Sequence, residues 1–242
     1  MTRHFLLTGA LMAALVTTGS AARADTTPTG IEVGLRTGYA LPFGNVTGNQ
    51  GVYGPGYTPA PSTSLSDIFN GVLPIWVDAG YRLNPSLFIG AYFQYGIAFI
   101  NTSKASGPQQ GGCNASGVSC TGSDMMFGLQ AHYHLMPDAA FDPWAGLGIG
   151  YEIANVSVSS GGVSGNVSTS GFQFFNVQAG GDYKATPNLG IGPFVMFSLG
   201  QYSNCSYGGA YSSLGNGTCT ISQTALHEWL TLGVRGVYDI NL

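Results

Sequence analysis

Residues 229–242 alternate in character without a break, and a period of two excludes a helix. Leu230, Leu232, Val234, Gly236, Tyr238, Ile240 and Leu242 share one side of an extended strand, while Trp229, Thr231, Gly233, Arg235, Val237, Asp239 and Asn241 share the other. One oily face and one mixed face would suit a soluble sandwich as well as a membrane strand, so recurrence and length decide between them. A tilted strand needs roughly ten residues to cross a bilayer. The pattern recurs in seven further segments, at 31–41, 73–83, 87–99, 125–135, 147–153, 175–183 and 191–199.

Composition supports the membrane reading. Only 7% of the 242 residues are charged and 38 are Gly, yet the mean hydropathy is only slightly positive. That is too polar for a helical membrane protein and too sparsely charged for a soluble domain. Strands with one lipid face and one lumen face reconcile the two. Acidic residues outnumber basic ones, 11 to 7, which argues against a nucleic-acid partner.

Arg3 and His4 precede the apolar run 5–16, and Ala22-Arg23-Ala24 has the small-residue spacing read by a signal peptidase. Residues 1–24 are therefore expected to be an export signal and 25–242 one barrel domain. Cleavage after Ala24 removes Arg3 and Arg23 from the seven basic residues, so five face eleven acidic ones and the formal charge becomes −6.

The connections alternate in length. Asn84-Pro85-Ser86, the segment 136–142 and Thr186-Pro187-Asn188 are short turns. The segments 42–71 and 100–124, the Ser/Gly/Val tract after Ile153 and the stretch following Leu199 are predicted to be long surface loops, with one capped helical turn around 64–70. Eight antiparallel strands with four long loops and tight turns at the opposite end is the pattern of an up-and-down transmembrane barrel. Outward aromatics add depth markers: Tyr39, Phe99, Tyr151 and Phe197 near one rim, Tyr81, Tyr133, Tyr183 and Tyr238 near the other.

With these features the chain resembles the small bacterial outer-membrane barrels of the OmpA and OmpX type, and secondarily the OmpW-like barrels. The resemblance spans Ile31 to Leu242 and implies an all-β, eight-stranded Gram-negative outer-membrane protein embedded in outer-membrane lipid. It further implies assembly through the terminal strand Leu230 to Leu242, which ends in Leu where the family usually has Phe. With the sequence stopping at Leu242, no OmpA-type periplasmic domain is expected. A monomer with an unidentified extracellular loop partner is the expected state.

The inward residues define the candidate chemistry. Glu32, Arg36, Asp78, Arg82, Arg235 and Asp239 lie on strands that barrel closure makes neighbours, and three guanidiniums against three carboxylates suggest a balanced lumen network. A plug is the expected consequence, with a proton or ion path as the alternative. Towards the outer mouth Trp76, Met126, Phe172, Phe174, Met196 and Trp229 are predicted to point inward, either as a packed lid or as a porin-like passage or pocket for small hydrophobic molecules, a role the OmpW-like resemblance implies. Inward Gly34, Gly80, Gly90, Gly148, Gly180 and Gly192 leave room for large neighbours.

His132, His134 and His227 sit at different heights, so no metal site is expected. Gly146, Gly148 and Gly150 lack the following helix that a nucleotide loop needs, and no cofactor is expected. Asp67, Asp124, His227 and Glu228 show no catalytic spacing, so a lipid-modifying enzyme is the least favoured class. Cys113, Cys120, Cys205 and Cys219 fall two by two in surface loops of an exported chain, and the local pairs Cys113–Cys120 and Cys205–Cys219 are the simplest of three connectivities. Sequences such as Asn45-Val46-Thr47 are read as loop composition rather than glycan sites.

Overall fold

The structure, a computed structural model, describes residues 30–49, 52–53, 62–104, 113–209 and 216–241. The expected export signal lies outside them.

Strand alternation is almost uninterrupted from end to end. In β1 (Gly30–Gly44) every even position from Glu32 to Arg36 is buried and every odd one from Ile31 to Leu35 is exposed. The chain continues through β2 (Val52–Tyr53), the four-residue α1 (Leu65–Ile68), and the hairpin of β3 (Phe69–Asn84) and β4 (Leu87–Ile100). It then runs through β5 (Val118–His134), β6 (Phe141–Ser160), β7 (Val163–Thr186), β8 (Leu189–Gly209), β9 (Gly217–Ile221) and β10 (Leu226–Asn241). Eight of these strands form an antiparallel ring in which β10 pairs with β1 on one side and β8 on the other, so no edge is left along the wall. Closure lets the ladder groups of the wall pair within the protein, as hydrocarbon demands.

The outer wall is a continuous apolar surface. Leu35, Ile75, Phe93, Leu129, Leu147, Val177, Ile191 and Val234 are all exposed, a patch far beyond what a water-soluble monomer tolerates. Tyr81, Tyr133, Tyr183 and Tyr238 face outward near the ends of their strands, as do Tyr39, Phe99 and Phe197 near the other rim.

Parts of all four expected loops are structured. The Ser/Gly/Val tract continues as strand, giving β6 20 residues and β7 24. Both are about twice the length a tilted strand needs to cross the bilayer. The hairpin closes on Gly161 and Gly162, both at positive φ (58° and 81°), the geometry that a two-residue turn on twisted strands requires. Its alternation was present in the sequence but lay in Val and Ser rather than in large apolar residues. With the outer ends of β5 and β8, and with β9 and β2, this hairpin forms a sheet that rises above the lipid band.

The segment after β1 folds back over the outer mouth. Ser64 precedes α1 as expected, but its hydroxyl donates to the Gly44 carbonyl instead of capping the turn. Leu65 and Phe69 are buried against Trp229, Tyr202 and Val46, so part of the predicted surface loop is core.

Candidate functional site

The lumen is the candidate site, and charge dominates its periplasmic half. Register sets like beside like: Arg36 lies directly opposite Arg235, and Glu32 opposite Asp239. Diagonal contacts resolve both clashes. The Arg36 Nε–H donates to Asp78 at 2.7 Å, Arg235 donates to Glu32 at 2.5 Å, and Arg82 donates to the other Glu32 oxygen. Arg82 also lies 3.5 Å from Asp239. Thus the six residues singled out in the sequence form two groups, Arg36 with Asp78 and Glu32 with Arg82, Arg235 and Asp239, which His132 bridges. Burial at this depth makes partners obligatory, because an unpaired charge there carries most of its desolvation penalty.

Glycine placement makes the network possible. A Cβ on Gly34 would come within 2.5 Å of an Asp78 oxygen, and one on Gly180 within 2.6 Å of the Trp144 ring. Into that space Arg36 stacks 5.2 Å from Trp76 and Arg235 4.5 Å from Trp144, contacts that favour a guanidinium stripped of water.

Several participants escaped the sequence reading. The Arg36 guanidinium also donates to Gln178 at 2.5 Å, and an amide ladder climbs from there: Gln178 to Asn176 at 2.7 Å, Asn176 to Gln173 at 2.7 Å, and Tyr92 to Gln173 at 2.7 Å. Inward Asn176 and Gln178, two residues apart on β7, were the available signal. Side-chain amides carry no titrating proton, so the ladder separates the lower charges from an upper cluster without relaying protons. In that upper cluster Glu152 accepts from Tyr202, from Trp229 at 3.0 Å and from His227 at 3.0 Å, while Gln94 donates to Asp124 at 2.8 Å.

Of the predicted mouth residues, Trp76, Met126, Met196 and Trp229 are buried in the lumen. Phe172 and Phe174 are not: they are 50% and 43% exposed on the outer wall. Pairing slips between Gln173 and Phe175 against β8, and Phe174 and Phe175 both face out. This β-bulge reverses the alternation, so counting by twos from Phe175 misplaces everything before it.

Histidines divide as the heights suggested. His227 belongs to the upper cluster, whereas donor atoms of Glu32, His132 and His134 lie within 4.8 Å of one another below. Arginine occupies that position electrostatically: both ring nitrogens of His132 face guanidiniums, Arg36 at 3.4 Å and Arg235 at 3.3 Å, and Glu32 is held by two more arginine contacts. Such surroundings repel a metal ion. Of the enzyme candidates, Asp67 pairs with Lys104 at the exposed rim, while Asp124 and His227 are buried in the upper cluster, His227 against Glu152.

The cysteines form two disulfides, Cys113–Cys120 and Cys205–Cys219. The second clamps β9 to β8, where the two cysteines are register partners.

A closed eight-stranded ring with an oily exterior and a charged interior is the architecture of an outer-membrane β-barrel. Solved structures share this fold. The outer-membrane protein OprG of Pseudomonas aeruginosa shares the fold with a TM-score of 0.52 at 13% identity, over 89% of this chain and 99% of that one. Neisserial surface protein A aligns over 87% of this chain and 97% of its own at 16% identity and a TM-score of 0.44. The outer-membrane protease OmpT of Escherichia coli aligns over 89% and 98% at 10% identity and 0.42. No protein-family model matches the chain, and no curated protein sequence matches it.

Proposed function

We propose that this protein is a surface-presenting barrel: a lipid-embedded anchor with a solid lumen, whose working part is the extracellular sheet built on β6 and β7. The observation that carries the reading is the filled interior. From Asp239 at one end to Leu65 at the other, successive buried layers contain Arg235, Arg36, Trp144, Trp76, Met126, Trp229 and Phe69. Eight strands enclose only enough space for side chains, and here the space is used. The sheet above the lipid band suits an interaction surface, since it is stiffened by Cys205–Cys219 and carries no charged residue from Ala154 to Phe175. This reading assigns the protein no catalytic step: Asp67 is taken up by Lys104 at the rim, and Asp124 and His227 are buried in the upper lumen.

A site for small apolar compounds is the second reading. It is favoured by a cavity of about 60 Å3 beneath α1, lined by Val46, Leu65, Phe69, Ala154 and Tyr202. That is well short of the ~300 Å3 typical of ligand pockets, so α1 would have to lift. Purified barrel in planar bilayers separates the two readings. The plug gives no steady conductance, with or without hydrophobic solutes; porin-like currents, or solute-dependent ones, would replace it with the passage.

A further inference from the structure

A third like-charge pair in the lumen is not relieved as the first two are. Asp142 of β6 lies directly opposite Asp182 of β7, both inward and both buried, an arrangement that destabilises a sheet unless positive charge lies close by. Asp142 is provided for: His134 Nδ1 lies 2.7 Å from one oxygen, and the Met136 N–H donates to the other at 3.2 Å. Asp182 is not. Asp182 is 4% exposed, yet among the described residues neither of its oxygens has a hydrogen-bond partner. Arg235 lies 3.9 Å away and is already committed to Glu32.

Charge in the lower lumen points the same way. Glu32, Asp78, Asp142, Asp182 and Asp239 present five carboxylates to three guanidiniums, Arg36, Arg82 and Arg235. Lys184 stands at the rim, where its ammonium binds the Pro137 carbonyl. Asp142, Asp182 and Asp239 line one crevice at the periplasmic mouth, with Arg82 and Lys184 also on its wall, and its volume of about 20 Å3 suits a single ion.

We propose that Asp182, backed by Asp142 and Asp239, binds a hard divalent cation such as Ca2+ at the periplasmic mouth of the barrel. Carboxylate oxygens select hard cations, and Ca2+ accepts water in the remainder of its shell. Asp182 supplies the two oxygens that no donor claims. Ca2+ also offsets the two-charge excess of carboxylates over guanidiniums and screens the Asp142–Asp182 repulsion. Arg82 and Lys184 oppose binding, which places the affinity in the weak range of extracellular Ca2+ modules, ~10⁻⁴–10⁻³ M.

The test uses the full folded barrel in zwitterionic micelles after EDTA treatment, with Ca2+ added at constant ionic strength. The thermal midpoint of the native protein should rise with the logarithm of Ca2+ above the dissociation constant, by about 3 °C at tenfold that constant. In Asp182→Asn the rise should vanish, while Asp67→Asn, at the exposed rim, should keep it. An equal rise in Asp182→Asn would overturn the site, as would a midpoint that follows pH but not Ca2+, because a shared proton would then supply the missing charge. Should Asp182→Asn fail to fold, the native protein alone decides. Tb3+ bound there should show Trp-sensitised luminescence through Trp144, displaced by Ca2+, and unsensitised or undisplaced Tb3+ would refute the proposal.

Discussion

Arg36 pairs with Asp78 across a diagonal: in the ladder Arg36 stands opposite Trp76, and Asp78 stands opposite Gly34, yet the guanidinium reaches the carboxylate at 2.7 Å. The bond exists because Gly34 has no side chain to occupy the space. Both partners are almost fully buried, so neither can turn to water when the other is lost.

Asp78→Ala should therefore lower the unfolding midpoint by the equivalent of ~3 kcal/mol or more, because it strands a buried guanidinium. Adding Arg36→Ala should recover part of the loss and admit water. Denaturant unfolding from vesicles measures the stability of both variants, and ion conductance, expected to be low in the native barrel and raised in the double variant, reports the opening.

Gly34→Ala should resemble Asp78→Ala in direction, at about 1–3 kcal/mol, because the new methyl group must displace the Asp78 carboxylate. If the effect works through the ion pair, Gly34→Ala should cost much less in the Asp78→Ala background. Full additivity in that double-mutant cycle would show the two to be independent.

Glu152 gathers donors from Tyr202, His227 and Trp229. Glu152→Ala leaves three buried donors without an acceptor, at ~1–3 kcal/mol each before relaxation. We expect it to be among the most damaging single changes in the outer half, read as a lowered midpoint together with altered Trp229 fluorescence. Native stability in this variant would remove Glu152 as the organiser of the upper cluster.

Reduction of Cys113–Cys120 and Cys205–Cys219 should loosen the extracellular connections and leave the barrel folded, since both bonds lie at the outer ends of β5 and β8, above the lipid band. Protease sensitivity should rise at the loops while heat-modified gel mobility stays native. A barrel that unfolds on mild reduction would contradict this.

Tyr81, Tyr133, Tyr183 and Tyr238 should lie at one depth, the periplasmic interface. Register supports this, because Tyr81 pairs with Ile31 and Ile89, Tyr133 with Leu87, Tyr183 with Ile191 and Tyr238 with Leu189, each close to a turn or a strand end. Single Trp replacements should show equal quenching by depth-calibrated lipids; scattered depths would refute the topology.

What the sequence determined by itself was everything carried by the period of two. Side chains two apart share a face whatever the rest of the chain does, so Leu230 to Ile240 and Leu87 to Phe99 could be assigned to the lipid face, and Arg36, Asp78 and Arg235 to the lumen, one strand at a time. Tertiary structure alone decided which lumen residues meet. Ring closure and strand stagger set Arg36 opposite Arg235 and left Asp78 and Glu32 to receive them, a matter of register between strands up to about 200 residues apart in sequence, which no single strand encodes. It also decided where the period fails. One bulge residue at Phe174–Phe175 sends Phe172 and Phe174 to the outer wall, because a slip of one position exchanges the two faces of every residue beyond it.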